Sequence, residues 1–406
     1  MSRQLTDSGD SGQEILFLTD SFLPHAGGSR VYYFNLYKRL ADKLGLRVRI
    51  LTKKVEGWQE FDQAQASENL QITRRFKPLA TWRYSELPKG VLPLPETLWR
   101  TLKGHHPVLH AGDLFPPGLI CLALKKLLRT PYLAYCHGEE ITQTDRYQNQ
   151  PRIRDRIYRS ANAIVAASEF ARQNLLRIGI SAERIHKITP GVDCSRFSPR
   201  PPKEALVRQF GLSGKTVLLT VARLWPRKGH DVLLRAIARI CESFPNLHYL
   251  VVGKGPEKEN LERLAQELNI SSLVTFVGYV PEQGLPDYYN LSNIFAMPNR
   301  EESNGDIEGF GIVFLEAGAS GSPVLGGRSG GASEAIREDV TGFLVDPESV
   351  EEIAESLRAL MGNSELRAKL GEAGRRRAVT EFDWDSRAES LWQVNHEISA
   401  RAKAAR

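Results

Sequence analysis

Short apolar runs that alternate with helical stretches recur along this chain of 406 residues, and after a proline-rich interruption the pattern starts again. The first set reads EILFLTD at 14–20, RVRILT at 47–52, PVLHAG at 107–112, YLAYCHG at 132–138 and AIVAAS at 163–168. The second reads TVLLTVARL at 216–224, HYLVVGKG at 248–255, VTFVGYV at 274–280, IFAMPN at 294–299, SPVLGG at 322–327 and GFLVD at 342–346. Strands separated by helices pair in parallel through right-handed crossovers, so each set predicts an open parallel sheet covered by helices. The interruption is ITPGVDCSRFSPRPP at 188–202. The expected fold is α/β, with one Rossmann-like domain at 1–190 and a second at 191–382 facing it across a cleft. Residues 383–406 read as an amphipathic helix whose Trp384, Leu391 and Trp392 need cover, so it is expected to cross back to the first domain.

Composition narrows the class. A chain that is 41% hydrophobic and 25% charged is ordinary for a globular protein. The longest apolar runs, such as GLICLAL at 118–124, are far shorter than a bilayer span, and the polar start has no secretory pattern. A cytoplasmic protein is expected, working at the inner face of the membrane where its substrate is lipid-linked. Cys121, Cys136, Cys194 and Cys241 form no CxxC pair and read as small hydrophobes. Charge is uneven: residues 1–200 hold 30 Lys and Arg against 19 Asp and Glu, and the remainder holds 24 against 29. The basic surplus sits in one Rossmann-like domain without a nucleic-acid module, so an anionic membrane face or acceptor is the expected partner and nucleic acid is not. The stretch RVYYFNLYKRLADKLG at 30–45 mixes Tyr32, Tyr33, Phe34 and Tyr37 with four cations. It can lie at a lipid interface, or the aromatics can be core and the cations a rim.

Three segments carry candidate chemistry. The first strand leads into a loop with Gly27 and Gly28 and then a helix, the arrangement in which backbone meets a ligand at a strand's carboxyl end. In VARLWPRKG at 221–229, Arg223 and Lys228 stand between a strand end and a helix, where two cations suit a diphosphate; Arg227 is either a third or faces water. In EGFGIVFLEA at 308–317, a loop carboxylate, Glu308, precedes a helix start, and Glu316 lies about a turn and a half inside the helix. The amides of Phe310, Gly311 and Ile312 would form an anion site there, with the carboxylates gripping hydroxyls on either side. Taken singly, the two charged segments also read as surface charge.

Together with His137 in HGEE and the PGVD turn at 190–193, these strings closely resemble family 4 of the retaining GT-B glycosyltransferases from about Ile15 to Glu397. The resemblance implies that Arg223 and Lys228 bind the donor diphosphate, that Glu308 contacts the sugar hydroxyls and that Glu316 contacts the ribose. It further implies that Gly278, Tyr279 and Val280 line the base, that Phe310 to Ile312 assist phosphate and sugar, that Gly27 and Gly28 admit the phosphates, and that His137 stands near the transferred sugar. Two departures are visible. Thr189-Pro190 stands where many members have Asn before Gly-Val-Asp, and REESNGDIEG at 300–309 is longer and more acidic than the common form. That longer form is similar to the phosphatidylinositol mannoside mannosyltransferases, which favours GDP-mannose over a UDP-sugar as donor.

The implied reaction moves a hexose to a lipid-linked or glycan acceptor in cell-envelope or polysaccharide synthesis, with no cofactor beyond the nucleotide sugar and no metal. The acceptor hydroxyl would attack on the leaving-group face while Arg223, Lys228 and the helix start hold the growing charge. An inactive sugar-nucleotide-binding partner is the alternative. A dehydrogenase fits poorly, because the glycine string at 253–258 lacks its third glycine and lies mid-chain. The acceptor is expected to meet variable loops around 54–104.

Overall fold

The computed structural model describes residues 14–24, 27–76, 97–98, 108–143 and 151–404. Two all-parallel sheets form its frame. The first joins β1 (Glu14–Leu18), β2 (Arg47–Lys53), β3 (Leu70–Phe76), β4 (Val108–Ala111), β5 (Tyr132–Cys136), β6 (Ala163–Ala166) and β7 (Ile185–Lys187) in the order β3-β2-β1-β4-β5-β6-β7. The second joins β8 (Thr216–Val221), β9 (Leu247–Val252), β10 (Val274–Gly278), β11 (Ile294–Met297), β12 (Val324–Gly327) and β13 (Gly342–Val345) in the order β10-β9-β8-β11-β12-β13. In each sheet the strand order reverses beside its first strand, between β1 and β4 and between β8 and β11. The crevice outside the strands' carboxyl ends is where such sheets bind ligands.

Each expected run is a strand; β3 and β7 escaped the pattern. β7 has only three residues, and β3 reads LQITRRF, with a charge where a buried strand should be apolar. Arg74 is nevertheless buried. Its guanidinium pairs with Asp62 at 2.6 Å and donates to the carbonyls of Leu23 at 2.7 Å and Lys53 at 2.9 Å, so the charge is matched and its donors are occupied.

The helix Gly28–Asp42 settles the two readings of its aromatics. Tyr32, Tyr33 and Tyr37 are fully buried on the first sheet, with Phe17 stacked on Tyr37 at 4.0 Å between ring centres, and Phe34 packs edge-on against Phe61 at 5.5 Å. These rings are core, and the lipid-interface reading of this helix is withdrawn. Among the described residues no helix is long and apolar enough to cross a membrane. Cys121 and Cys136 are buried, Cys194 and Cys241 half-buried, and all four are free thiols.

The C-terminal helix Trp384–Ala404 crosses back as expected. Trp384, Ala388, Leu391, Val394 and Ile398 complete the hydrophobic cluster that contains Tyr32, Tyr33 and Leu36. Polar ties fix its register: Asp385 accepts from Arg39 and Lys43, both at 2.9 Å, and the buried pair His110 Nε2 and Asn395 Oδ1 meets at 3.0 Å.

Candidate active site

The candidate residues of the first sheet stand at its carboxyl edge. Gly27 precedes the helix after β1, and His137 follows β5. His137 is held by two neighbours. Glu140 accepts from the backbone amides of His137 and Gly138, each at 2.9 Å, and His137 Nε2 lies 2.7 Å from the Tyr33 hydroxyl. Burial pushes the Tyr33 phenol well above its usual pKa, so it keeps its proton and donates it to the Gly112 carbonyl. With the phenol proton given to Gly112, the Tyr33 oxygen is free to accept a hydrogen from Nε2, and this contact fixes the orientation of the imidazole.

The second sheet supplies charge. After β8 a single tight turn, Pro226–Lys228, carries Arg227 and Lys228 into the protein, their side chains 9% and 10% exposed. Glu308, in the loop after β11, receives Arg227 Nη1 at 2.7 Å and Lys228 Nζ on the same Oε2. Burial opposes ionisation of Glu308, but Lys228 and Arg227 outweigh it and hold the carboxyl down at about 2. Lys228 is lowered to about 8 by burial and by its neighbour Arg227, against the pull of Glu308. Arg227 also pairs with Asp306 at 3.3 Å. Of the two readings of Arg227, the water-facing one does not hold: the side chain is buried beside the carboxylate. Arg223 is exposed, its guanidinium 5.8 Å from the Trp225 ring centre. Arg223 and the turn thus bring three cations together, facing Glu308, Asp306 and, from the first domain, Glu139, and guanidinium and ammonium groups held this way can meet an anion.

Gly311, in a left-handed conformation with φ 87°, opens the helix Ile312–Ala319, whose first amides have no intrahelical acceptor. Phe310 is buried against Phe382 with ring centres 6.0 Å apart. The two halves meet here. A β-carbon on Gly309 would stand 2.8 Å from the His137 carbonyl oxygen, so only glycine lets the backbones pass this closely. A β-carbon on Gly28 would touch Ile312 Cδ1 at 4.0 Å. The structure thus brings His137, Gly28, Glu308 and the start of this helix to one seam.

Glu316 belongs to another part of the site. It is buried within the helix and accepts the Tyr289 hydroxyl at 2.7 Å, not a cation. Burial, reinforced by the like charge of Glu282, raises its carboxyl to about 7 against the opposing bond from Tyr289. Glu282 lies just beyond Gly278, the last residue of the edge strand β10, and Tyr279 and Val280, which follow it. Tyr279 is 51% exposed with Lys254 5.7 Å from its ring centre. Tyr33, Tyr289 and Asp306, which orient His137, Glu316 and Arg227, were missed from the sequence because nothing local marks a tyrosine or aspartate as a partner of a distant residue. Among the described residues no group of three or more His, Cys, Asp or Glu is placed to hold a metal ion. Much of the loop region at 54–104 lies outside the described residues.

Residues 26–196 match Glycosyltransferase Family 4 and residues 202–377 match Glycosyl transferases group 1. The chain is 30% identical over 394 residues to a GDP-mannose-dependent alpha-(1-6)-phosphatidylinositol monomannoside mannosyltransferase of Mycolicibacterium smegmatis, covering 96% of this chain and 99% of that one. It is also 30% identical to a D-inositol 3-phosphate glycosyltransferase of Nocardia farcinica, over 90% of this chain and 84% of that one. Anabaena HepE, solved with UDP-glucose, superposes with a TM-score of 0.78 at 20% identity, covering 95% of this chain and 99% of that one. A sucrose-phosphate synthase of Thermosynechococcus elongatus gives 0.79 at 23%, covering 96% and 100%. Two parallel Rossmann-like sheets, a crossing C-terminal helix, and relatives matched from end to end make one assignment: this chain belongs to the family 4, group 1 glycosyltransferases and has their GT-B fold.

Proposed function

We propose that this glycosyltransferase moves mannose from GDP-mannose to a lipid-linked or glycan acceptor, keeping the anomeric configuration, with the acceptor bound by the domain at 1–190 and the donor by the domain at 191–382. The observation that carries the reading is the positive turn Arg223, Arg227, Lys228 beside Glu308 and an open helix start. In this reading the diphosphate lies on Arg223, Lys228 and the amides of Phe310 to Ile312. Glu308 takes the sugar hydroxyls, Glu316 the ribose, and Gly278 to Val280 the base, with Gly27 and Gly28 admitting the phosphates. As the sugar–phosphate bond breaks, electrons pass to the phosphate oxygen, whose charge the fixed cations meet without reorganisation. The acceptor hydroxyl attacks from the same face and gives its proton to that oxygen, while His137 holds the sugar.

Mannose and GDP are favoured by the naming of the mannosyltransferase relative, and a UDP-sugar is the second reading, favoured by the UDP-glucose bound in the solved HepE. A ligand of the native state must raise its melting temperature. GDP-mannose is expected to raise Tm more than UDP-glucose at equal concentration, and the new linkage, read by proton NMR, should be the α anomer. A larger shift with UDP-glucose would overturn the donor, and a β product the retention.

The basic surplus of residues 1–200 supports an anionic acceptor surface. Lys and Arg near such a surface contribute about 1 kcal/mol each, screened by salt. The protein should co-sediment with phosphatidylglycerol vesicles at low salt and much less at high salt. Equal, negligible binding to anionic and neutral vesicles would leave a soluble acceptor.

A further inference from the structure

The acidic stretch 300–309, longer than the family's common form, is not a solvated loop. It folds back on itself through Gly305 N to Glu302 O at 2.8 Å, Glu302 N to Asp306 O at 2.9 Å, and the Asp306 amide to Asn304 Oδ1 at 2.9 Å. This small closed turn meets the first domain at Thr142 and Gln143. The Thr142 hydroxyl donates to the Gly305 carbonyl at 2.8 Å, and a β-carbon on Gly305 would overlap the Thr142 carbonyl, so the fit admits only glycine. Gln143 Nε2 donates to Asp306 Oδ1 at 2.9 Å. The other oxygen of the same carboxylate faces Arg227 Nε at 3.3 Å, and Arg227 Nη1 continues to Glu308 at 2.7 Å.

A continuous line of polar contacts thus runs from the first domain to the donor carboxylate: Gln143, Asp306, Arg227, Glu308. We propose that Asp306 is a positioning residue, which sets the orientation of Glu308 through Arg227 and does so fully only while Gln143 of the facing domain is engaged. The inference rests on the reading of Glu308 as the group that takes the donor sugar.

The chemistry supports this division of labour. Asp306 has two oxygens and uses one on each domain. With Gln143 in place, the carboxylate cannot swing toward solvent, and its second oxygen fixes the guanidinium side-on, which aims Nη1 at Glu308. With Gln143 withdrawn, as it would be if the cleft opened, the carboxylate can rotate and Arg227 can follow it. Glu308 then keeps Lys228, a single point charge on a flexible stem that fixes no direction. Sugar-gripping geometry would be complete only when the acceptor-bearing domain has arrived.

The test uses the full-length protein with GDP-mannose and GDP as probes and GDP release as the rate. Asp306→Ala should lower kcat about tenfold and weaken GDP-mannose, while GDP, which lacks the sugar, binds as in the wild type. Gln143→Ala should lower kcat severalfold in the wild-type background and change nothing further once Asp306 is alanine, because both act through one line. Asp306→Asn, which keeps an acceptor oxygen and the shape, should recover part of the rate and serves in place of alanine if that variant unfolds. Unchanged kcat in Asp306→Ala and Asp306→Asn, or independent losses that multiply in the double variant, would overturn the proposal. Glu308→Ala separates the two readings: if it binds GDP-mannose as the wild type does, the sugar contact itself is wrong. If it is impaired while the Asp306 variants are not, only the positioning line fails.

Discussion

Glu308→Ala is expected to cut turnover by on the order of 100-fold or more and to lower the melting temperature at the same time. The two losses have different origins. The first is the lost grip on the sugar as charge redistributes. The second arises because Arg227 and Lys228 share this carboxylate, and removing it leaves Lys228 with no acid partner among those described. A fully buried pair broken in this way costs about 3–5 kcal/mol. Here the Glu308 side chain is still 14% exposed, and Lys228, already down at about 8, can shed its proton. A loss of roughly 2 kcal/mol is therefore expected, equivalent to about 4–8 °C in a domain of this size. The stabilisation also has a pH window. The folded carboxyl titrates at about 2 against an ordinary 4.5, so its contribution is fully present above 4.5 and is lost as pH falls toward 2. Turnover and Tm measured on one preparation check both, and wild-type turnover in the variant would refute the assignment.

Glu316→Gln should act in opposite directions on affinity and stability. If the carboxylate grips the ribose, donor affinity falls by about 1–3 kcal/mol. Stability rises, because the native carboxyl at about 7 lies above its ordinary 4.5: burial and Glu282 oppose its charge. The raised value stabilises the fold fully below 4.5, and that contribution is lost as pH climbs through about 7. At about 1.4 kcal/mol per unit, the buried charge opposes folding by at most about 3.5 kcal/mol at high pH. Glutamine keeps an oxygen for the Tyr289 hydroxyl and carries no charge. The variant's Tm advantage over the wild type should therefore grow between about pH 5 and about pH 8. Wild-type donor affinity should strengthen over the same interval, as the carboxylate forms. Equal Tm differences at both ends would remove the raised titration, and unchanged affinity by calorimetry would remove the ribose contact.

These two glutamates show what the sequence could and could not convey. Their spacing, the glycines between them and the strand ahead were legible, because helix starts and parallel strands are local patterns with local causes. Their different electrostatics were not. Glu308 is ionised by a turn some 80 residues upstream, and Glu316 is held near neutrality by burial and by the like charge of Glu282, against the bond from Tyr289 of a separate helix. Arg227 stayed undecided for the same reason: in WPRKG it differs from a solvent-facing arginine only through Asp306 and Glu308, which the fold alone brings to it. Likewise the tyrosines at 32, 33 and 37 gave no sign in their own helix of whether water or protein lay above them. The answer came from the chain's last helix, which covers part of the cluster they build.

That cover has a consequence for biosynthesis. Trp384, Leu391 and Ile398 are synthesised after both sheets, yet they finish a core whose other walls are laid down from Ile15 onward. While the ribosome is still translating the second half, the nascent first half must wait with one apolar flank bare, open to chaperones and to its own kind. A chain ending before Trp384 would keep every donor residue named above and still lack the wall of its first domain.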